Sequence, residues 1–228
     1  MAAPKPAGSR IAAVIFDLDG VLLDSETTWV NVKREFADQS GGHWKDSAQW
    51  DMLGMSSVEW SRYMHDELGV PVPPEKISAE VADRVANRYR ERLPLLPSAT
   101  DAVRSLAREW PLAVASSSNR NVIDLVIEKA GLADAFAATV SSEEVERGKP
   151  APDVYLEAAR RMGVEPESCA AIEDSGNGIR SADAAGMAVI AVPNKDFPPD
   201  PDALALAAVV LDSLMELSPD RIRGLRTA

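Results

Sequence analysis

The chain has 228 residues, a formal net charge of −12, and 46% hydrophobic against 26% charged residues. These proportions are ordinary for a folded enzyme, and the length suits one α/β core with an inserted subdomain. The negative charge leaves no broad positive field for a nucleic acid or an anionic membrane surface, so we expect neither as a partner.

The amino-terminal segment and the cysteine content bear on the cellular compartment in which the protein is expected. Residues 1–9 contain no apolar stretch that could be a signal sequence or a membrane span, and we interpret them as a flexible tail. Cys169 is the single cysteine, so no intramolecular disulfide can form, and its apolar neighbours favour an inert buried thiol. We therefore expect a cytoplasmic protein, with a monomer as the default because no long heptad pattern is present.

Short apolar runs recur along the chain, each of a length suited to a strand buried on both faces. From residue 98 onward they alternate with helical patterns, which implies right-handed crossovers and a mostly parallel sheet. Ser98 and Asp101 predict a capping box at the start of the first of these helices. The predicted strands are residues 11–16, 112–115, 137–140, 170–172, 187–192 and 209–211.

The stretch between the first and second predicted strands contains helical patterns alone. Apolar stripes at helical spacing begin at Trp29, Trp60 and Ile77, and proline-rich residues 93–97 mark the return to the core. We predict a helical cap over residues 26–93, on a core made of residues 10–25 and 94–228. The predicted fold is a Rossmann-like three-layer α/β/α core with a mostly parallel sheet and an inserted helical-bundle cap.

Asp17 and Asp19 directly follow the first predicted strand. Residues two apart in an extended chain project to the same side, so both carboxylates point beyond the carboxyl end of the sheet, where open α/β sheets bind ligands. Two carboxylates this close repel each other unless they share a proton or a cation, which favours a metal site. Taken alone, a surface Asp-Gly turn explains the same residues equally well.

Three further polar segments follow later predicted strands. The serine run 116–118 offers hydroxyl and amide donors to an anion, Lys149 before Pro150 can direct an ammonium inward, and Glu173 with Asp174 can complete an oxygen site for a hard cation. Helix caps and a solvated loop lysine are the alternatives for each segment alone. Together the segments supply the parts for phosphoryl transfer at one edge of the sheet.

In order and spacing, the segments DLDGV, the serine turn, GKPAPD and EDSGNGI resemble the four motifs of the haloacid dehalogenase superfamily. The resemblance covers essentially the whole chain after the tail. Within the superfamily, the chain is similar to the branch that contains β-phosphoglucomutase and small sugar-phosphate phosphatases. It implies that Asp17 is a nucleophile that forms an aspartyl-phosphate and that Asp19 is the general acid and base. It also implies that Ser116, the amide of Ser117 and Lys149 bind the phosphate.

The same resemblance implies one cofactor, a Mg²⁺ ion. Its ligands would be the carboxylate of Asp17, the backbone carbonyl of Asp19 and Asp174, with Glu173 in or near the shell. The implied activity is a Mg²⁺-dependent phosphatase that acts on a small phosphorylated metabolite.

The cap departs from the mutase pattern at two positions. Trp29 and Ser57 stand where β-phosphoglucomutase has a histidine and an arginine that handle a second phosphate, so a sugar or polyol monophosphate released to water is the expected substrate. Residues 24–26 with Trp29 are similar to the pattern of 2-deoxyglucose-6-phosphate phosphatases, which suggests hexose or hexitol monophosphates. Trp29 could equally be only part of the cap core.

Three alternative functions stay open. One is an isomerase of the β-phosphoglucomutase type, and another is a non-catalytic module that binds a phosphorylated metabolite. A carbon-halogen hydrolase is less favoured, because those relatives need neither the Asp19 acid nor a metal.

Overall fold

The computed structural model describes residues 11–225, so the predicted tail at residues 1–9 lies outside the described residues. Within that range the strands are β1 Ala13–Phe16, β2 Leu112–Ser116, β3 Phe136–Ser141, β4 Cys169–Glu173, β5 Ala188–Ala191 and β6 Val209–Val210. They form one parallel sheet in the order β3-β2-β1-β4-β5-β6. The predicted parallel sheet is confirmed.

Burial along the strands follows their position in the sheet. The four inner strands, β1, β2, β4 and β5, are buried along their whole length, as their apolar sequences predict. The expectation of burial on both faces is wrong for β3 and β6, which are partly exposed. Both are edge strands, so each has a neighbouring strand on one side only.

Helices cover the two faces of the sheet and give the three layers of the predicted core. Alternate residues of β1 enter two separate hydrophobic cores: Val14 and Phe16 enter one, and Ala13 and Ile15 the other. The core helices are α5 Ala99–Leu106, α6 Arg120–Lys129, α7 Asp153–Met162, α8 Gly176–Ala184, α9 Pro201–Leu204 and α10 Pro219–Gly224, numbered after four helices of the insert. Apolar residues of α5 and α6 lie in the first core, and those of α7 and α8 in the second.

The predicted capping box at the start of α5 is wrong. Ser98 has a left-handed backbone, with φ 65°, and its side chain makes no capping hydrogen bond. A residue that caps a helix amino terminus normally has an extended backbone, which aims its side-chain oxygen at the amides of the first turn.

The chain between β1 and β2 folds as helices α1 Glu26–Gln39, α2 Ala48–Asp51, α3 Ser57–Asp66 and α4 Pro74–Glu91. The apolar stripes that begin at Trp29, Trp60 and Ile77 are buried within this bundle. The predicted helical insert is therefore confirmed. No helix among residues 11–225 is both long and apolar enough to cross a membrane.

The two segments that connect the bundle to the core lie side by side. Leu23 and Leu95 form an isolated antiparallel bridge, and the amide of Leu96 donates to the carbonyl of Leu22 at 2.9 Å. The exit from the core and the return to it are therefore hydrogen-bonded to each other.

Candidate active site

A cavity of about 280 Å³ lies between the carboxyl end of the sheet and the helical bundle. This edge of a doubly wound sheet, next to its central strand, is where such folds bind ligands. Its floor comes from the loops after β1, β2, β3 and β4, its roof from the bundle, and part of its wall from residues 194–200 after β5. Among the floor residues are Asp17, Asp19, Ser117, Ser118, Lys149 and Asp174, and among the roof residues are Glu26, Trp29, Lys33, Met52 and Trp60.

Asp17 lies at the centre of the floor, directly after the central strand β1. It is only 6% exposed, and the Nζ of Lys149 donates to its Oδ1 at 2.7 Å. Burial raises the pKa of Asp17 to about 7, against the lowering effect of Lys149 and with smaller contributions from Glu173 and Asp19. Burial alone lowers the pKa of Lys149, but the carboxylates of Asp17 and Glu173 outweigh it and raise that pKa above its ordinary value.

Glu173, at the end of β4, forms hydrogen bonds that hold several residues of the cavity floor in position. Its Oε1 accepts from the Nζ of Lys149 at 2.6 Å and from the hydroxyl of Tyr155 at 2.9 Å. Its Oε2 accepts from the amides of Asp174 and Ser175, at 3.0 and 3.1 Å, and from the Ser175 hydroxyl at 3.1 Å. Both oxygens are thus engaged, and the side chain is fully buried. Glu173 therefore holds Lys149 in place.

Three buried carboxylates form an acidic cluster on this floor. Asp17, Glu173 and Asp174 each offer an oxygen, and these atoms lie within 4.8 Å of one another. No side chain among residues 11–225 donates a hydrogen bond to the Asp174 carboxylate, and burial together with Glu173 and Asp17 raises its pKa well above the ordinary value. One ammonium, that of Lys149, faces the three acids, so the cluster suits an additional hard cation with oxygen ligands.

Two glycines make room for these acids. Gly20 has φ 80°, and a Cβ at this position would lie 1.9 Å from the Oδ2 of Asp174. A Cβ on Gly178, in the first turn of α8, would lie 1.7 Å from the Oε1 of Glu173. Neither position can hold a larger residue unless the carboxylate moves.

Asp19 is held by both parts of the molecule. Its Oδ2 accepts from the hydroxyl of Ser118 in the core at 2.6 Å, and its Oδ1 accepts from the indole N–H of Trp29 in the bundle at 3.1 Å. Trp29 is 8% exposed and packs against Trp60, with ring centroids 6.1 Å apart. Trp29 therefore belongs to the bundle core and also lines the cavity, so its interpretation as core alone is wrong, while its contact with a substrate stays a prediction.

The serine turn after β2 presents two of its three serines to the cavity. Ser117 and Ser118 line the wall, whereas Ser116 is fully buried and its Oγ accepts from the amide of Ser118 at 3.0 Å. Ser141 and Ser142 brace the turn by donating to the carbonyls of Ser118 and Ser117, at 2.6 and 3.1 Å. Phosphate binding by Ser116, Ser117 and Lys149 stays a prediction.

The bundle contacts the core at the rim of the cavity. The Nδ2 of Asn177 donates to the carbonyl of Gly54 at 3.3 Å, and the rings of Trp50 and Phe197 lie 5.0 Å apart. These contacts close one side of the cavity, so the bundle is positioned to exclude water from the floor.

Sequence reasoning missed several residues that the site uses. Tyr155 bonds Glu173 from outside the cavity lining, and no local pattern indicates it. The sequence indicates Ser118 only as a donor to an anion, whereas its hydroxyl holds Asp19, which is 99 positions away in sequence. Ser175 holds the Glu173 carboxylate two residues before it. Lys33 left a signal, because it is a charge beside the apolar stripe of α1 and four residues after Trp29.

Comparison with known proteins gives consistent results. The family model described as haloacid dehalogenase-like hydrolase matches residues 11–186. Hexitol phosphatase B of Escherichia coli (strain K12) is 33% identical, over 94% of this chain and 98% of that protein. Fructose-1-phosphate phosphatase YqaB of the same organism is 31% identical, over 80% and 97% respectively.

Solved structures agree with these matches. The crystal structure of CbbY from Rhodobacter sphaeroides in complex with phosphate has a TM-score of 0.83 at 27% identity, and the match covers 94% of this chain and 100% of that one. β-Phosphoglucomutase from Clostridium difficile has a TM-score of 0.80 at 23% identity, over 93% and 95%, which is a likeness of fold alone.

Proposed function

Since the chain belongs to the haloacid dehalogenase-like hydrolases, we propose that Asp17 takes a phosphoryl group from a sugar or polyol monophosphate and passes it to water. The family match and the phosphatases among the relatives make the protein a phosphoric monoester hydrolase that acts on small phosphorylated metabolites. The narrower substrate class rests on hexitol phosphatase B and fructose-1-phosphate phosphatase YqaB as relatives. We propose in addition that it acts as a monomer in the cytoplasm.

The observation that carries this proposal is the arrangement around Asp17. Lys149 holds Oδ1 of Asp17, while Oδ2 accepts no hydrogen bond from residues 11–225, and the side chain lines the cavity. A buried carboxylate with one oxygen fixed and the other available suits nucleophilic attack on a phosphate. The ammonium of Lys149 is also within reach of an anion that binds at Asp17, and it offsets the added negative charge.

The residues present fit a divalent cation, because the acidic cluster offers hard oxygen donors and the Asp174 carboxylate accepts no side-chain hydrogen bond within residues 11–225. The Asp17 carboxylate, the Asp19 backbone carbonyl and Asp174 would hold Mg²⁺, with Glu173 positioning this shell from behind. When bound, Mg²⁺ would lessen the repulsion between the nucleophile and the phosphate and stabilise charge on the phosphoryl oxygens.

The protein groups then divide the reaction into two transfers. Asp17 attacks phosphorus to form the aspartyl-phosphate while the ester P–O bond breaks, and Asp19 donates a proton to the leaving oxygen. Asp19 next takes a proton from water, which attacks the aspartyl-phosphate and releases inorganic phosphate and free Asp17. Ser118 and Trp29 keep the Asp19 carboxylate in place for both steps.

The test is release of inorganic phosphate from sugar, polyol and nucleoside monophosphates, with Mg²⁺ or with EDTA. We expect turnover by the wild type that EDTA abolishes, and loss of at least about 10⁴-fold in Asp17→Asn, whose neutral amide is a poor nucleophile. Asp183→Asn, at an exposed position of α8, is the matched control and should retain wild-type turnover.

Each alternative has its own outcome in this test. Movement of phosphate within a sugar without release would replace the proposal with an isomerase, and saturable binding without turnover would replace it with a binding module. An acid-stable protein-bound phosphate that hydroxylamine removes, absent from Asp17→Asn, is expected if the aspartyl-phosphate forms.

A further inference from the structure

Lys33 is a buried cation on the roof of the cavity. It lies on α1, is 8% exposed and contributes to the cavity wall. Its Nζ lies 4.9 Å from the ring centroid of Trp60 and 5.7 Å from that of Trp29. No residue among 11–225 forms an ion pair or a hydrogen bond with it, so the three N–H donors of the ammonium have no acceptor in the described part of the chain.

A buried lysine without an ion-pair partner is unfavourable to the fold, because its surroundings replace only part of the hydration of the ammonium. The two indole rings offset only part of that cost. Burial lowers the pKa of Lys33 to about 8, while Glu26 and Asp19 raise it, so the ammonium is still mainly charged at neutral pH. Because the Lys33 ammonium faces the cavity, a ligand that accepts hydrogen bonds from it would remove this unfavourable contribution.

The neighbours of Lys33 decide the chemistry of that ligand. Glu26, two turns earlier on α1, lines the same cavity, and its carboxylate accepts no hydrogen bond from the described residues. Lys33 and Glu26 thus present donors and acceptors side by side, which matches a hydroxyl group because a hydroxyl both accepts and donates. A second phosphate or a carboxylate would instead meet the negative charges of Glu26 and Asp19.

We infer that Lys33 determines specificity by donating a hydrogen bond to a hydroxyl group at the end of the substrate far from the phosphate. The enzyme accordingly selects monophosphates whose distal end is neutral and hydroxylated, over bisphosphates and phosphocarboxylates. This inference rests on the proposed function and names the residue that reads the substrate.

The test compares Lys33→Met with the wild type on two substrates. One is the best hydroxylated monophosphate of the panel, and the other is p-nitrophenyl phosphate, which has no hydroxyl at its distal end. We expect KM for the hydroxylated substrate to rise about 10- to 100-fold, the effect of losing a hydrogen bond from a charged donor, and KM for the other to change less than about twofold. Lys33→Gln, which can still donate, should recover part of the loss.

Deoxy substrates and a control variant sharpen the result. Removal of the distal hydroxyl that Lys33 binds should weaken the wild type and leave Lys33→Met unchanged, because the interaction is already absent. Lys76→Met, at an exposed position of α4, should behave as wild type. The melting temperature of Lys33→Met should stay level or rise, since an unpaired buried charge has been removed, whereas a structural role predicts a fall.

Several results would overturn the inference. If Lys33→Met raised KM equally for both substrates, or for neither, Lys33 would have no role in specificity. If the wild type preferred bisphosphates and Lys33→Met lost that preference, Lys33 would bind an anion and not a hydroxyl group. If the wild type hydrolyses no phosphate at all, the proposed function fails separately. Titration calorimetry of the wild type and Lys33→Met with hexitol monophosphates and p-nitrophenyl phosphate then tests the inference. It predicts that the substitution weakens binding of the hexitol monophosphates and not of p-nitrophenyl phosphate.

Discussion

Two buried lysines face the same cavity, and their surroundings are opposite. On the floor, Lys149 lies between Asp17 and Glu173, with both carboxylates within 2.7 Å of its ammonium. On the roof, Lys33 forms no ion pair or hydrogen bond with residues 11–225, and its ammonium lies near the indole rings of Trp29 and Trp60 and within the field of Glu26 and Asp19. The floor lysine is satisfied by the protein itself and keeps its partners in a fixed arrangement. The roof lysine keeps its hydrogen-bond donors available for a ligand, which suits a residue that binds the substrate and takes no part in the reaction.

The largest effect is expected when the floor lysine is removed. Lys149→Met leaves Asp17 and Glu173 buried without their counter-charge, and the loss of one partner of a buried ion pair lowers the free energy of unfolding by about 3–5 kcal/mol. Urea denaturation measures that fall, and phosphate release should disappear. The same substitution at Lys33 should not lower stability, and equal destabilisation at both lysines would contradict the comparison.

A second prediction concerns the space that the floor needs. Gly20→Ala adds a Cβ that would overlap the Asp174 carboxylate and forces alanine into φ 80°, so we expect phosphate release to fall about 100-fold or more through displacement of Asp174. Gly41→Ala is the matched control, because φ is 83° there and nothing lies within 4 Å of the added Cβ. It should lose about 1 kcal/mol of stability and no activity. Equal activity in the two variants would show that Asp174 tolerates displacement.

A third prediction concerns the bond between roof and floor. Trp29→Phe keeps an aromatic ring beside Trp60 but removes the N–H that donates to Asp19. Within residues 11–225, Ser118 is then the side chain that still donates to this carboxylate. We expect kcat to fall about 10-fold with KM nearly unchanged, as for an interaction that orients the general acid. Steady-state kinetics on the best substrate measure this. A change in KM alone would assign Trp29 to substrate binding.

A fourth prediction concerns the pH dependence of stability. The pKa of Lys33 in the folded protein is about 8, below its ordinary value of 10.5, so between these values the unfolded chain binds more protons and this residue makes stability rise with pH. Lys33→Met should therefore gain stability over the wild type at pH 7, and that advantage should shrink by pH 10. Urea denaturation at both pH values measures the difference. A constant difference would mean that Lys33 has the same pKa in both states.

The sequence predicts the framework well because buried strands and amphipathic helices leave local periodic patterns. All six strands lie where apolar runs indicate them, and the inserted bundle follows from its stripes. The residues brought to the cavity include Asp17, Asp19, Ser117, Lys149 and Asp174, each of which follows a strand. The topology of a parallel sheet collects such residues at one edge, so order along the chain is enough to expect them together.

Features that depend on distant partners are not visible in the sequence. The Lys149–Asp17 contact joins residues 132 positions apart, and the indole bond to Asp19 requires the bundle to be packed on the core. Ser98 misleads because its backbone conformation, rather than its residue type, decides whether it can cap a helix. Lys33 is a charged residue beside an apolar stripe, which is visible in the sequence, but its position on the cavity wall is known only from the structure.

The hydrogen-bonded crossings between core and bundle have an evolutionary consequence. The chain leaves the core and returns at one point, where Leu23 pairs with Leu95, so the ends of the insert are held together whatever lies between them. An insert closed in this way can grow, shrink or be exchanged while the pairing of β1 with β2 stays as it is. Selection can therefore alter which metabolites the protein accepts by changing the insert, provided that the position of Trp29, which donates to Asp19, is kept.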